Sequence, residues 1–183
     1  MDDPSIIDLY WERSEEAIAQ TDIKYKKLCM HVADNILLDH SDSEECLSDT
    51  YLAAWKAMPS QRPKYLPAFL CRIIRNFALK RCEYNTAQKR NPEVALSLDE
   101  LDDTIPSPDN VESSVDAAEL GRIISAFLRK QGRKKRSIFL RRYWYYDSVS
   151  TIAEKYSMSE ESVRQMLFRL RRKLKEYLEK EGL

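Results

Sequence analysis

Apolar side chains recur every three or four residues along most of this chain, as they do in helices buried on one face. The pattern predicts a first helix from about Pro4 to Ala19, with Pro4 suited to a first helical turn. A second is predicted from Asp22 to Leu38 and a third from Ser43 to Met58. Ser43 can cap the third, and Glu44 and Glu45 favour a helix N-terminus. Pro59 and Pro63 break the chain, after which a long fourth helix is predicted from about Leu66 to the region of Arg90. Four more helical patterns cover residues 116–130, 134–146, 148–156 and 160–180. Runs of Val, Ile, Thr and Tyr with alternating polarity, which would signal strands, are missing. Only three glycines occur, at 121, 132 and 182, which argues against a turn-rich fold. The expected class is all-α.

Residues 91–117 break the pattern. They hold Pro92, Pro106 and Pro108, many Asp, Glu and Ser, and few large apolar groups. Such a stretch buries too little surface to offset its ordering entropy and reads as a flexible acidic linker. Leu96, Leu98, Leu101 and Ile105 are nevertheless regularly placed within it, as for contact with a partner. The expected organisation is two small helical domains, residues 1–90 and 118–183, joined by the linker 91–117. The second domain is expected to end in a helix-turn-helix.

Charge adds a second layer. The 183 residues carry 30 Lys and Arg against 30 Asp and Glu, a net charge of zero that hides strong segregation. Residues 1–50 have 4 basic and 13 acidic side chains, a net of −9, and residues 62–90 have 8 and 1, a net of +7. Residues 91–120 have 0 and 9, a net of −9, and residues 129–183 have 16 and 7, a net of +9. Two basic blocks separated by acidic ones suggest two polyanion contacts, with the acidic surfaces turned to another partner or to the protein's own basic blocks. The four cysteines, 29, 46, 71 and 82, form no C-x-x-C pair and lie among apolar residues, so free buried thiols are expected. Trp11, Trp55 and Trp144 are expected as core anchors. No stretch reads as a signal peptide or a membrane span, which predicts a cytoplasmic protein.

The segment from Ser148 to Lys175 carries the sharpest chemistry. Ser148 can cap a short helix in which Ile152 and the small Ala153 face inward. Ser157-Met158-Ser159 is a turn, and Ser159 can cap the next helix, with Glu160 and Glu161 in its first turn. On a helical wheel Val163, Leu167, Leu170, Leu174 and Leu178 form one stripe. Gln165, Phe168, Arg169 and Arg172 lie opposite, flanked by Arg164 and Lys175. In a major groove Phe can touch a thymine methyl, Gln can pair with adenine and Arg can bridge guanine. Arg133 to Arg136 could grip phosphate beside this unit or merely solubilise a helix start. On the fourth helix Leu66, Phe69, Leu70, Ile73 and Phe77 form an apolar stripe, while Arg72, Arg75, Asn76 and Leu79 share another face with Lys80 nearby. Arginines there can hold single-strand phosphates while Asn offers a donor and an acceptor to an unstacked base. Tyr65 could stack a base or pack in the core.

Two stretches of sequence resemble one family in the same order. Ile138–Tyr143, Ile152–Ser159 and Val163–Leu174 resemble region four of bacterial sigma factors. Glu45–Ala57 and Phe69–Leu79 resemble region two. Two regions alone, with a linker between, are similar to the small extracytoplasmic-function class. The resemblance implies a factor that directs core RNA polymerase to promoter DNA and stabilises melting. It implies minus-thirty-five contacts at Arg142, Arg164, Gln165, Phe168, Arg169 and Arg172, and minus-ten contacts at Arg72, Arg75, Asn76 and Lys80. A loop at about Pro59 to Leu66 would complete a pocket for a flipped base. It implies docking on the polymerase clamp through Ser48, Asp49, Tyr51 and Leu52, and it admits an anti-sigma protein as a further partner. The sequence departs from the family at Ser157 and at Tyr146-Asp147, where Gly is usual, and at Ser48, Leu66, Phe69 and Ser150-Thr151.

An enzyme reading finds little. His31 and His40 are the only histidines, and no Gly-rich phosphate loop, nucleophile elbow or metal-ligand cluster occurs. Asp99, Glu100, Asp102 and Asp103 read as an acidic linker rather than a metal site. No catalytic activity, cofactor or metal is expected. The alternative from the same residues is a free-standing helix-turn-helix regulator, which would dimerise on a palindrome and need no polymerase.

Overall fold

The computed structural model describes residues 1–84, 91–102, 104 and 114–182. Among them are nine helices and no strand: α1 (Asp3–Trp11), α2 (Glu16–Ile36), α3 (His40–Ala57), α4 (Leu66–Tyr84), α5 (Pro92–Asp102), α6 (Ser114–Lys130), α7 (Arg133–Tyr143), α8 (Val149–Tyr156) and α9 (Glu160–Lys180). The chain divides into two compact units, Met1–Asn91 and Pro92–Leu183.

In the first unit α2, α3 and α4 pack on one another and α1 lies against α2. Ile6, Ile7 and Tyr10 of α1 are buried, and the Tyr10 hydroxyl hydrogen bonds with Thr21 Oγ1 at 2.9 Å. Thr21 Oγ1 in turn donates to the carbonyl of Ala17 at 2.7 Å, so the buried hydroxyl pair is satisfied. The first two helices begin and end elsewhere than the periodicity suggests. α1 stops at Trp11 because Arg13 adopts a left-handed conformation, φ 58°. Arg13 N–H donates to Tyr10 O and Ser14 N–H to Leu9 O, the paired bonds of a Schellman ending. The turn is held from outside, since the Arg13 guanidinium lies 4.1 Å from the Trp55 ring and Nη1 donates to Trp55 O at 2.8 Å. α2 then runs unbroken through the expected gap at 20–21. α3 begins three residues before Ser43: Asp39 is the cap, accepting from the amides of Ser41 and Asp42, and Ser43 is buried one turn in.

The buried face of α4 is Leu66, Phe69, Leu70, Cys71, Ile74, Ala78 and Cys82. Ile73 and Phe77, expected in the core stripe, are half-buried at its edge. The stripe follows steps of four from Leu66, which puts Ile74 and Ala78 beneath α2 and α3. The expected continuation to Arg90 falls on residues 85–90, outside the described residues. Trp11 is not a core anchor: it is 45% exposed, and Trp55 and Trp144 are half-buried.

The second unit is built on one apolar cluster that joins Phe127 and Leu128 of α6, Ile138, Phe139 and Tyr143 of α7, Ile152 and Ala153 of α8, and the leucine stripe of α9. It includes a helix where a linker is expected. Residues 92–102 form α5, which starts with Pro92 in its first turn, buries Val94 and lays Leu101 on the apolar cluster. Regular apolar spacing and ion pairs to α7 supply what composition suggests is lacking. The rest of the expected linker, residues 103 and 105–113, lies outside the described residues. α7 ends at Tyr143, short of 146, and Tyr146 is buried in a left-handed conformation at φ 55°.

Candidate nucleic-acid interface

Three serines bound α8 and the sharp turn by which it meets α9. Ser148 Oγ accepts from the amide of Thr151 at 3.1 Å to cap α8. Ser157 ends it in a left-handed conformation, φ 50° and ψ 52°, while the amides of Ser157 and Met158 bond back to Glu154 O and Ala153 O. Ser159 Oγ accepts from the amide of Ser162 at 3.2 Å and opens α9. Ala153 sits in the angle, small enough for the two helices to approach.

Burial then orients α9. Val163, Leu167, Leu170, Leu174 and Leu178 are each 2% exposed or less. Burying five such side chains, at about 1.5–3 kcal/mol apiece, fixes the rotation of the helix. Arg164, Gln165, Phe168, Arg169 and Arg172 consequently face outward, with Phe168 57% exposed. Neighbours one turn away hold three of them: Arg164 Nη2 meets Glu160 Oε2 at 2.6 Å, Gln165 Nε2 donates to Glu161 Oε1 at 3.1 Å, and Arg172 Nε lies 3.7 Å from Glu176 Oε1. Exposed i,i+4 pairs of this kind are worth only about 0.3–0.5 kcal/mol, so they yield readily to a stronger partner. A groove of about 990 Å³ follows this face, lined by Arg164, Gln165, Phe168, Arg169, Arg171 and Arg172 among others.

Arg142 is placed otherwise than the resemblance implies. It is 2% exposed, under α5 rather than on the open face. Its Nη1 meets Glu93 Oε2 at 2.6 Å and its Nη2 meets Glu100 Oε1 at 2.9 Å. Glu100 Oε2 also accepts from the Tyr143 hydroxyl at 2.7 Å and from Arg171 Nη1 at 2.9 Å. Burial pushes the Glu100 carboxyl up, but hydrogen bonds from Arg142 and Tyr143, with the charges of Arg142 and Arg171, outweigh it and hold the carboxyl below its ordinary value. The neighbouring Asp147, 1% exposed, is compensated by Arg141 Nη1 at 2.5 Å. Glu93, Glu100 and Arg171 carry no distinctive sequence motif. The available signal was spacing: Glu93 and Glu100 are seven apart, two helical turns on one face.

In the first unit, the outward side of α3 presents Ser48, Asp49 and Leu52, the last 50% exposed. Tyr51 differs from these three. It is half-buried and its hydroxyl donates to Asp22 Oδ1 at 2.9 Å, so it braces α3 on α2. On α4, Arg72, Asn76 and Lys80 are placed at the surface and Arg75 is half-buried. The Arg72 guanidinium lies 5.6 Å from the Phe69 ring, which holds it along the helix. The segment before α4 is tied to α1, because Arg62 pairs with Asp8 and lies 5.7 Å from the ring of Trp11. Tyr65, for which stacking and core packing were both open, is 74% exposed.

The guanidinium, ammonium, amide and aromatic groups of these surfaces have the chemistry to hold phosphate and to stack or pair with bases. Among the described residues no three His, Cys, Asp or Glu side chains gather as metal ligands, and no helix is long and apolar enough to cross a membrane. Residues 23–87 match the family model described as sigma-70 region 2, a span covering α3, most of α2 and all of α4. No curated protein matches the chain.

Proposed function

We propose, from the premise that this chain belongs to the sigma-70 family through the region 2 at residues 23–87, that it directs core RNA polymerase to particular promoters and stabilises the melted strand. Promoter recognition and melting are what region 2 brings in general terms; the assignments to residues are our own. Ser48, Asp49 and Leu52 dock on polymerase, with Tyr51 holding α3 at the angle that presents them. Arg72, Arg75 and Lys80 hold phosphates of the unpaired strand, and Asn76 pairs with an unstacked base. The second unit acts as a region four whose helix-turn-helix, α8 and α9, lays Arg164, Gln165, Phe168, Arg169 and Arg172 in the major groove of the minus-thirty-five element. Arg142 is left out of that row because α5 covers it.

The contribution is binding energy rather than catalysis. Capturing a base already out of the stack offsets a few kcal/mol of unpairing and shifts the equilibrium toward open DNA. Such a factor works in the cytoplasm, beside the chromosome. The observation that carries the reading is the region 2 match, with the exposed Phe168 amid arginines as its support in the second unit. The test is run-off transcription with heterologous core polymerase on a genomic library, with sequencing of the starts. New starts that depend on this chain, sharing two spaced sequence elements, are the expected result. Repression of transcription that core polymerase carries out with another factor would favour a free-standing regulator instead. Neither effect, together with no retention of core polymerase on the immobilised chain, would overturn the proposal.

A further inference from the structure

α5 brings two carboxylates to a face otherwise furnished for anions. Glu100 lines the groove along α9 together with Arg164, Arg169, Arg171, Arg172 and Lys173. Its two oxygens take Arg142, Arg171 and the Tyr143 hydroxyl, all within 2.7 to 2.9 Å, and Glu93 takes the other terminal nitrogen of Arg142 at 2.6 Å. Two guanidinium groups from two helices, converging with a phenol on one small anion, are also what a DNA phosphate receives from a protein. The carboxylates satisfy this set incompletely: the buried Nε of Arg142 has no hydrogen-bond partner among the described residues, which costs free energy in the docked state. The helix that supplies them leaves much of its apolar surface in solvent. Leu101 packs on the core of the unit, while Leu96 and Leu98 remain 52% and 43% exposed.

We propose that α5 is an intramolecular stand-in for the phosphate backbone: α5 and duplex DNA compete for Arg142, Tyr143 and Arg171, so that DNA engaging α9 draws α5 off the α7–α9 face. The inference rests on the reading of α9 as a duplex-binding helix. A competitor of this kind lowers the apparent affinity of the free chain by the fraction of molecules in which α5 is undocked. It also favours strong binding only where α5 has been released.

The test uses the full chain without polymerase, a random-sequence duplex, and fluorescence anisotropy over a range of salt. Three proteins are compared: wild type, Glu100→Gln and Leu101→Ala, each checked by circular dichroism for retained helicity. Glu100→Gln removes the charge of the stand-in, while Leu101→Ala loosens α5 and leaves every charge in place. Both should bind several-fold more tightly than wild type. Both should show a log–log salt slope steeper by about 0.9 for each additional phosphate that the released arginines neutralise. Tighter binding by Glu100→Gln alone would reduce α5 to a source of repulsion and overturn the competition. Unchanged or weaker binding by both would overturn it while leaving the duplex-binding reading intact. No duplex binding by any of the three, even in low salt, would overturn both. Should Glu100→Gln fail to fold, amide hydrogen exchange on the wild type decides: α5 amides must lose protection when duplex is added, and unchanged or increased protection would overturn the proposal.

Discussion

Arg169 stands next to Phe168 on the open side of α9 and has no ion-pair partner among the described residues. Arg164 and Arg172 have acidic neighbours one turn away, so Arg169 reaches a ligand with the least to give up. If it bridges a guanine, Arg169→Ala should weaken a matched duplex by about 1–3 kcal/mol and a scrambled one by much less. Anisotropy titrations on the two duplexes check this, and an equal loss on both would make Arg169 a phosphate contact. The cysteines make a different residue-scale case. Burial pushes the Cys29 thiol up to about 12 and Cys71 up to about 11, with Cys71 adding to the effect at Cys29. Cys46 is raised as well, again chiefly by burial. Since the thiolate is the reactive form, Cys29, Cys46 and Cys71 should resist iodoacetamide at pH 8 in the native protein, as should Cys82 through its burial alone, and all four should react fully in denaturant. Mass spectrometry of the labelled protein would reveal any cysteine that reacts before unfolding.

Among the elements, α8 and α9 were the most legible and α1, α2 and α5 the least. Ser148 and Ser159 settle where α8 and α9 begin, and the uninterrupted leucine stripe settles the course of α9, because cap and periodicity agree. The end of α1 was hidden because it depends on Arg13 in a left-handed conformation that only tertiary contact with Trp55 rewards. α5 was hidden because its apolar contacts and its ion pairs are made with α7 and α9, about forty to seventy residues away, which no local window contains. The same distance accounts for Arg142, which pairs with Glu93 and Glu100 of α5. Of the implied site residues, the outward placement of those on α9 and of Arg72, Asn76 and Lys80 on α4 was readable from helical periodicity, that of Ser48, Asp49 and Leu52 on α3 was implied by the resemblance alone, and the half-buried positions of Tyr51 and Arg75 depend on packing against neighbouring helices. The turn between α8 and α9 yields a prediction of its own. Ser157 holds φ 50° without the external tether that Arg13 has, and a side chain in that region costs roughly 1–2 kcal/mol. Ser157→Gly should therefore stabilise the second unit by about 0.5–1 kcal/mol. A thermal melt followed at 222 nm should show a higher midpoint; a lower one would mean the Ser157 side chain contributes something that the strain argument omits.

At the scale of the whole molecule, the zero net charge is the sum of blocks of opposite sign. One negative block is now accounted for in part, since Glu93 and Glu100 of residues 91–120 neutralise arginines of the basic block that follows. The two basic surfaces, on α4 and on α9, lie in different compact units. If both surfaces contact one promoter as proposed, each raises the other's effective concentration, so each can be weak alone and the pair strong. That arrangement makes a quantitative demand. In the polymerase-bound state, Asn76→Ala should weaken open-complex formation and Arg169→Ala should weaken duplex recognition by separate free energies. If the two surfaces act on separate DNA elements as proposed, the double variant should lose the sum to within about 0.3–0.5 kcal/mol. Promoter occupancy measured by footprinting on the four proteins checks it. A double variant no worse than the weaker single one would mean that the two surfaces act on a common step. The assignment of one to the melted strand and the other to the duplex would then have to be abandoned.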